Sequence, residues 1–520
     1  MKVVTGETMQ GIDRKAIHEV GIPGSTLMEG AGSACADAIM QHYGRGSRKR
    51  VLIVAGKGNN GGDGYVVARL LRKGGWEAQV LVLATAEAIT GDAAANLALL
   101  EGRDVIFAPE GAGSYRGLFD RATLLVDALL GTGVKSEVAG VYAEAIAMMN
   151  EAKVPVVSVD IPSGVDAATG RILGTAVRAD LTVTFALPKL GNILHPGAEL
   201  CGALHVADIG IPEELLEEAP GVELVDFDSA ARLVRPRTPL AHKGSCGHVL
   251  IIAGSTGKTG AAAMAANAAV RTGSGLVTLA IPASLNPVLE AKTTEAMTVP
   301  VDDRGRGFLP AGALPTLLRF AEGRDAVAVG PGIGAARSTF YLVHTLVEAL
   351  PLPLVLDADA LNALALAPEL LLKRRGAVTV LTPHPGEMAR LIRGTIADVE
   401  RDRLGVARDF AVRYGVHLVL KGSGSVVAAP DGSVSINGSG NAGMASGGMG
   451  DVLTGLLVSL LGQGYPPFQA CQLGVFLHGY AADLIARERG MAGMKATEVQ
   501  ESLPAALGHL AQAGALKLSK

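Results

Sequence analysis

Residues 50–74 read RVLIVAGKGNNGGDGYVVARLLRKG, and this stretch decides the fold class. An apolar, β-branched run at 51–54 leads into a glycine-rich loop, which opens onto a helical pattern from Tyr65. A buried strand, a glycine turn and a helix in this order are typical of α/β proteins.

The glycine-rich loop formally satisfies the GxGxxG fingerprint of dinucleotide-binding proteins. That fingerprint also requires an acidic residue at the tip of the second strand, where it holds the ribose hydroxyls. The second predicted strand, 78–83, runs into Thr85 without a carboxylate. The loop carries instead the oxygen-bearing side chains of Asn59, Asn60 and Asp63. We therefore expect a binding loop, but not a Rossmann cofactor site.

Length and composition indicate two or three well-buried domains. The chain has 520 residues, of which 49% are hydrophobic and 18% charged. A net charge of −4 gives no electrostatic reason to bind nucleic acid or an anionic membrane. Aromatic residues make up only 4%, which argues against a base-stacking surface. The expected partners are small molecules.

Cysteine spacing and the apolar segments indicate the compartment. Four cysteines lie far apart without a CxxC pair, so neither a metal knot nor a disulfide framework is expected. The N-terminus lacks an apolar signal region. The most apolar stretch, 452–462, suits a buried helix and is too short to span a membrane. These features predict a cytoplasmic protein.

Short apolar runs alternate with helical patterns in two separate parts of the chain, which predicts mostly parallel sheets covered on both faces. Strands are predicted in the first part at 51–55, 78–83, 104–107, 123–127, 154–159, 181–185 and 203–206. Strands are predicted in the second part at 249–254, 276–281, 326–329, 354–357, 377–381, 416–420 and 425–429. Between them, residues 211–240 are acidic and then proline-rich, and their periodicity lapses. We expect two α/β domains, a Rossmann-like three-layer sandwich at 1–215 and a second domain at 226–520.

Oxygen-bearing side chains follow three predicted strands of the first domain. They are the Asn59–Asp63 loop, Asp127, and Asp160 with Ser163 close behind it. A single aspartate at a strand tip often only caps the next helix. Three tips that meet in one crevice are better explained as a site. Neutral oxygens with one or two carboxylates suit K⁺ better than Ca²⁺, and a further aspartate could act as acid or base.

The second domain contains a phosphate-binding pattern near its C-terminal end. Residues 254–259, GSTGKT, do not form a P-loop, because Ile252 stands where the Walker pattern needs glycine. The segment 441–455, NAGMASGGMGDVLTG, places several glycines directly before an apolar helix, which predicts an anion hole at the helix N-terminus. Asp451 lies at that N-terminus, where it could take a proton from a substrate hydroxyl.

Four stretches of the first domain resemble the epimerase domain of bifunctional NAD(P)H-hydrate repair enzymes. They are MQGIDRKAIHEVGIPGSTLMEGAG (9–32), GKGNNGGDG (56–64), VDALLGTGV (126–134) and VDIPSGVDAATG (159–170). That domain interconverts the R and S hydrates of NADH and NADPH, which we write NADHX and NADPHX. The resemblance implies K⁺ held by Asn60, Asp127 and Ser163. It implies substrate contacts from Asn59, Asn60, Gly61, Gly62, Asp63, Gly131, Thr132, Gly133, Val134, Lys135, Ser136, Glu137 and Asp160, with Asp160 as the catalytic acid or base.

The second domain resembles the ADP-dependent dehydratase domain of the same family, which has a ribokinase-like fold. The matching stretches are HKGSCGHVLIIAGS (242–255), GAAAMAANAAVRTGSGLVT (260–278), VLDADALNAL (355–364) and LTPHPGEM (381–388). The resemblance implies that Asp451 is catalytic and that the hydrate contacts Ala261, Gly332, His384 and Asp451. It implies ADP contacts from Lys421, Gly422, Ser423, Gly424, Ser425 and Gly450. Glu387 suggests Mg²⁺, whereas Asp357 and Asp359 are interpreted as structural.

Two alternatives stay open from the residues themselves. An anion hole with Asp451 would look the same in a vitamin or sugar kinase, and the residues allow ATP as well as ADP. The first domain could also be a nucleotide-binding or protein-binding module without catalysis. The favoured expectation is a homo-oligomer with two active sites that repairs hydrated NAD(P)H, with K⁺, Mg²⁺ and ADP required.

Overall fold

The computed structural model describes residues 1–45, 49–100 and 104–518. The chain divides into two compact units, one of Lys2–Val222 and one of Glu223–Lys520 together with Met1. This division lies inside the stretch between the two domains expected from the sequence.

The N-terminal unit alternates strands and helices. Its strands are β1 (Lys2–Val3), β2 (Arg50–Ala55), β3 (Glu77–Val82), β4 (Val105–Phe107), β5 (Leu124–Ala128), β6 (Val156–Val159), β7 (Leu181–Phe185) and β8 (Ala203–Ala207). Its helices are α1 (Gly6–Lys15), α2 (Gly24–Tyr43), α3 (Asn59–Lys73), α4 (Gly91–Ala98), α5 (Arg116–Arg121), α6 (Gly140–Glu151), α7 (Leu190–Ile193), α8 (Gly197–Leu200) and α9 (Glu213–Glu218).

The N-terminal sheet has the strand order β4-β3-β2-β5-β6-β7-β8, and all its neighbouring strands run parallel. One hydrophobic cluster covers each face, because side chains point alternately to the two faces. The predicted three-layer sandwich is therefore confirmed. The direction of winding reverses between β2 and β5, so their carboxyl ends border the crevice where ligands bind in such sheets.

The segment where periodicity lapses also contains regular structure, namely β9 (Val222–Val225) and α10 (Phe227–Leu233). Strand β9 pairs in parallel with the last strand of the C-terminal sheet. Its sequence, VELV, is too short and too exposed to give a clear strand pattern.

The C-terminal unit continues with β10 (His248–Ile252), β11 (Leu276–Pro282), β12 (Met297–Val301), β13 (Ala326–Val329), β14 (Leu354–Leu356), β15 (Thr379–Leu381), β16 (His417–Leu420), β17 (Val426–Ala428) and β18 (Val434–Asn437). Its further helices are α11 (Thr259–Thr272), α12 (Asn286–Glu290), α13 (Leu314–Ala321), α14 (Arg337–Ala349), α15 (Asp359–Leu364), α16 (Pro385–Leu391), α17 (Ile396–Arg401), α18 (Arg403–Tyr414), α19 (Met449–Gly462), α20 (Pro467–Arg489) and α21 (Ala496–Leu518).

The C-terminal sheet runs in the order β9-β18-β17-β16-β15-β14-β13-β10-β11-β12. Only β17 is antiparallel to its neighbours within this series. Two hydrophobic clusters cover the two faces. Winding reverses between β10 and β13, which places a second ligand crevice at the loops that follow them.

Helix α19 lies buried in the C-terminal unit, as expected from its apolar sequence. It packs closely on α11, since a Cβ on Gly455 would lie 2.0 Å from the carbonyl oxygen of Ala265. Within the part of the chain that the structure describes, no helix has both the length and the apolar character needed to cross a membrane.

Candidate active sites

A cavity of about 700 Å³ opens at the crevice of the N-terminal sheet. Of the predicted substrate residues, those that line it are Asn59, Asn60, Asp63, Gly131, Thr132, Gly133, Val134 and Asp160. Gly61 and Gly62 serve packing, because a Cβ on them would lie 2.1 Å from the Gly56 carbonyl oxygen and 2.7 Å from Met28, respectively. Lys135, Ser136 and Glu137 are exposed and lie outside the lining.

Asp127, at the end of β5, is fully buried behind the cavity wall. Its carboxylate accepts hydrogen bonds from the Ser158 hydroxyl at 2.8 Å, from both the amide and the hydroxyl of Ser163, at 2.8 and 2.5 Å, and from the Leu129 amide at 3.3 Å. Burial raises the pKa of Asp127, while these donors oppose the rise. The Ser163 hydroxyl also accepts from the Leu130 amide at 2.9 Å. Asp127 and Ser163 therefore fix the start of the Gly131 loop.

Asn60 lines the cavity from the first turn of α3 and is 8% exposed. Its Nδ2 is buried and has no hydrogen-bond partner among the described residues. A Cβ on Gly131 would lie 3.3 Å from the Cβ of Asn60, so glycine lets the loop approach this side chain.

Asp160 follows β6 in a left-handed conformation, with φ +67°. Lys189, which is 1% exposed, donates its ammonium group to Asp160 Oδ1. The same oxygen accepts from the Thr184 hydroxyl at 3.1 Å and from the Phe185 amide at 3.2 Å. The sequence prediction included Asp160 but missed Lys189, which no motif marks and which only the fold brings to this wall.

Two further carboxylates face the same cavity, Asp63 on α3 and Asp13 on α1. Burial raises the pKa of Asp13 to about 6, with nearby Lys189 lowering it and Asp160 raising it. Burial also raises the pKa of Asp63 well above its usual range, and Asp160 and Asp13 raise it further. The sequence analysis assigned no role to Asp13, although it lies inside the quoted stretch 9–32.

The C-terminal crevice brings together the predicted residues Ala261 and Gly332. Gly332 has φ +61°, and a Cβ on it would lie 3.1 Å from the Cβ of Ala261. Beside them, Lys258 pairs with Asp359 at 2.8 Å, and Asp359 also accepts from the Gly334 amide at 3.0 Å. Asp359 therefore fixes the loop that follows β13, so it is part of the wall of this crevice.

Asp451 lies in the first turn of α19, after Gly448 in a left-handed conformation with φ +93°. Burial raises the pKa of Asp451 to about 7, and the negative charge of Asp357 adds to the effect, while Lys421 opposes it. A carboxyl group that titrates near neutral pH is suited to general-base catalysis.

Lys421 Nζ lies 2.8 Å from Asp357 Oδ1 and 3.7 Å from Glu387 Oε2. Asp357 also accepts from the Thr454 hydroxyl of α19 at 2.7 Å. Burial alone would lower the pKa of Lys421, but Asp357 and Glu387 outweigh it and the pKa is raised. Asp357 therefore holds Lys421, the predicted ADP-binding lysine, against the helix that carries Asp451.

The predicted ADP loop, 421–425, forms a tight turn after β16. The Ser425 hydroxyl donates to the Gly422 carbonyl at 3.0 Å, and Gly422 and Gly424 have φ +147° and +58°. Arg403, which the sequence analysis missed, donates to the Lys421 carbonyl at 3.2 Å. Gly450 adjoins this loop, since a Cβ on it would lie 3.3 Å from Lys421 Nζ. Loop 421–425 and the N-terminus of α19 therefore share one site.

His384 caps helix α16, because its Nδ1 accepts from the Gly386 amide at 3.0 Å. Burial and the nearby charges of Lys421 and Arg390 lower its pKa. Glu387 in turn accepts from the His384 amide at 2.8 Å and is 5% exposed. The carboxylate of Glu387 thus contacts the His384 amide and lies 3.7 Å from Lys421. Within residues 1–45, 49–100 and 104–518, no group of three His, Cys, Asp or Glu residues could hold a metal ion.

Fold and sites define a two-domain α/β protein with one crevice in each unit. The family model described as "YjeF-related protein N-terminus" matches residues 24–191, and the model described as "NAD(P)H-hydrate dehydratase" matches residues 249–505. The chain is 44% identical to the bifunctional NAD(P)H-hydrate repair enzyme of Moorella thermoacetica, over 98% of this chain and 97% of the relative. The corresponding Escherichia coli enzyme is 37% identical, with 94% and 91% covered. The chain belongs to the family of bifunctional NAD(P)H-hydrate repair enzymes.

A solved structure supports the fold of the C-terminal unit. A ribokinase-like superfamily protein from Enterococcus faecalis V583 aligns with a TM-score of 0.50 and 24% identity, over 56% of this chain and 97% of that chain. The expected ribokinase-like fold is confirmed.

Proposed function

We propose that residues 1–215 epimerise the R and S hydrates of NADH and NADPH, and that residues 226–520 dehydrate the S hydrate at the expense of ADP. Such hydrates carry a hydroxyl on C6 of the nicotinamide ring and cannot transfer hydride. Epimerisation would convert the R hydrate into the S hydrate, which is the form that the second site accepts. The family relationship over nearly the whole chain supports this division of work.

The epimerase site is assigned to the 700 Å³ cavity. The proposed substrate contacts are the predicted residues that line this cavity, namely Asn59, Asn60, Asp63, Gly131, Thr132, Gly133, Val134 and Asp160. The pair of Asp160 with Lys189 gives the substrate a fixed wall, because both side chains are held by several hydrogen bonds.

Asp127 and Ser163, which are buried, and Asn60, which lines the cavity, have side chains that fit K⁺. One buried carboxylate from Asp127, the Ser163 hydroxyl and the amide of Asn60 are hard oxygen donors with little total charge. Asn60 can give its Oδ1 to an ion while its unpartnered Nδ2 stays available to a substrate in the cavity. When bound, K⁺ would offset the charge of Asp127 and order the Gly131 loop.

In the dehydratase site, the Asp451 carboxylate would take the proton of the C6 hydroxyl, whose oxygen attacks the β-phosphate of ADP. AMP leaves with the electron pair of the broken P–O bond. The C6–O bond then breaks, phosphate departs, and loss of a proton from C5 restores the 5,6 double bond. Lys421 and the amide groups at the α19 N-terminus would stabilise the phosphate charge.

The described protein side chains do not form a dedicated Mg²⁺ site, since the carboxylate of Glu387 is directed to His384 and Lys421. Mg²⁺ would therefore enter with the phosphates of ADP, as it does in many nucleotide sites. His384, Ala261, Gly332 and Asp451 remain the proposed hydrate contacts, and Lys421–Ser425 with Gly450 the proposed ADP contacts.

The observation that carries this proposal is the position of Asp451, beside Lys421 and at the N-terminus of α19. The test is to add hydrated NADH with ADP or ATP and follow the near-ultraviolet absorbance of the dihydronicotinamide ring. Its return with release of AMP or ADP is expected. Accumulation of a phosphorylated product would instead favour a vitamin or sugar kinase.

The compartment and the assembly belong to the same proposal. All four cysteines are free, which supports a reducing environment such as the cytoplasm. Light scattering of the purified chain would measure the homo-oligomer that we expect.

A further inference from the structure

The N-terminal cavity is lined by further ionisable side chains besides Asp160. Asp13, Asp63 and Asp160 line it together with the ammonium group of Lys189. The cavity also receives the unpartnered amide of Asn60, which is more than nine-tenths buried. A ligand would satisfy that amide, so these groups surround a place where substrate binds.

The three carboxylates are not equivalent. Asp160 accepts hydrogen bonds from Lys189, Thr184 and the Phe185 amide, all at the same oxygen. A carboxylate held by an ammonium group and two further donors serves poorly as a proton donor. Among the described residues, Asp13 and Asp63 have no hydrogen-bond partner for their carboxyl groups, so their oxygens are available to a ligand in the cavity.

We propose that Asp13 and Asp63 are the acid–base pair of the epimerase site, and that Asp160 with Lys189 positions the substrate. This rests on the epimerase function proposed above. Asp13 reaches the cavity from α1 and Asp63 from α3, so the two carboxyl groups approach a bound ring from different elements.

The step balances as an exchange of one water for another. One carboxyl group protonates the C6 hydroxyl, and the C6–O bond breaks with its electron pair leaving on water. The lone pair of N1 forms an N1=C6 double bond. A second water attacks C6 from the opposite face, gives its proton to the other carboxylate, and the N1=C6 electrons return to N1.

The reverse direction uses the same two groups with their roles exchanged, so the pair must hold one proton between them. The pKa shifts of Asp13 and Asp63 support a single proton shared by the pair. Burial raises the pKa of both groups, the nearby charge of Asp160 raises both further, and Asp13 adds to the rise for Asp63. Lys189 opposes this for both, and Arg14 opposes it for Asp13. One of the two carboxyl groups can therefore remain protonated near neutral pH while the other is ionised.

The experiment compares Asp13→Asn and Asp63→Asn in the full-length chain, starting from the pure R hydrate and separating the epimers by chromatography. Each variant should lose about 10²–10⁴-fold in the epimerisation rate, with little change in KM. The exposed Asp37→Asn on α2 is the matched control and should behave as wild type. The denaturation transition of Trp76 fluorescence, from the single tryptophan of the chain, reports whether the N-terminal unit remains folded in the variants. Near-normal epimerisation by either aspartate variant overturns the proposal.

Two measurements on the wild type separate this mechanism from a structural role. The rate should pass through a maximum as pH changes, because one carboxyl group must be protonated and the other ionised. Epimerisation in ¹⁸O-water should place one ¹⁸O on C6 in each turnover. Retention of the original oxygen would overturn the exchange of waters and indicate ring opening at N1–C6. A wild type that does not epimerise at all would instead refute the underlying function.

Discussion

Lys421 and Asp357 form an ion pair in the C-terminal unit, with Nζ 2.8 Å from Oδ1 and the aspartate side chain only 1% exposed. The two residues lie 64 positions apart in the chain and directly follow β14 and β16, which both border β15. The pair links the ADP loop to the helix of Asp451 through the hydroxyl of Thr454. It therefore connects the proposed nucleotide contacts to Asp451, the proposed general base.

Asp357→Ala should destabilise the C-terminal unit by about 1–3 kcal/mol, because Lys421 keeps only the more distant Glu387 at 3.7 Å and the Thr454 hydroxyl loses its acceptor. Chemical denaturation followed by circular dichroism measures this loss. The single tryptophan, Trp76, lies in the N-terminal unit, so its fluorescence transition should not move. The double variant Asp357→Leu with Lys421→Met should recover much of the stability. An unchanged midpoint for the single variant would show that the pair is not needed for folding.

Asp451→Asn should lower the dehydration rate by about 10²–10⁴-fold while ADP binding and folding persist. Return of the dihydronicotinamide absorbance measures the rate, and calorimetry measures ADP binding. The exposed Asp409→Asn serves as a matched control. A near-normal rate in the Asp451 variant would exclude its role as general base.

The pH dependence of dehydration follows from the same group. A general base must be ionised, and the pKa of Asp451 is raised to about 7. In the wild type, kcat/KM should therefore fall as the pH decreases through about 7, whereas a carboxyl of ordinary pKa would stay active to about pH 4. A rate that is constant between pH 8 and about 5 would contradict this assignment.

The sequence predicted those parts of the sites that lie at strand tips. Asn60, Asp127 and Asp160 follow buried strands, and parallel topology brings such tips together. Asp451 was predicted because several glycines stand directly before it, at the start of an apolar helix. Lys189 could not be predicted in this way, since a buried lysine interrupts the apolar pattern and its partners come from β6 and β7.

The strands that the sequence analysis missed are β1, which has only two residues, and β9, β12 and β18 of the C-terminal sheet. Strands β9 and β12 are each partly exposed, and β12 contains Pro300, so neither gives a clear run of buried residues. Strand β18 is four residues long and carries Ser435 and Asn437 among its apolar positions. Their place in the sheet depends on long-range pairing, which local pattern does not encode.

The proposed ion predicts a specific response to K⁺. Asn60→Leu keeps nearly the same volume and removes the amide, so epimerisation should require at least about tenfold more K⁺, which corresponds to a coordination loss of about 1.4 kcal/mol. Wild-type epimerisation should fall when Na⁺ or Li⁺ replaces K⁺ and should survive EDTA. Activity that EDTA abolishes and Mg²⁺ alone restores would show that the strand-tip residues bind a divalent cation.

Strand β9 decides where the chain can be divided into two pieces. Because β9 pairs with β18 through Glu223–Ser435, Leu224–Ile436 and Val225–Asn437, a C-terminal piece beginning at 222 keeps this strand. A piece beginning at 226 loses it and exposes the edge of β18, so it should be less stable and more prone to aggregate. Thermal denaturation of both pieces measures the difference.

The longer piece should dehydrate only one epimer quickly, and adding a separate 1–221 piece should allow both to be consumed. Equal stability of the two C-terminal pieces would show that β9 contributes little to this unit, and rapid repair of both epimers by the C-terminal piece alone would contradict the proposed division of work.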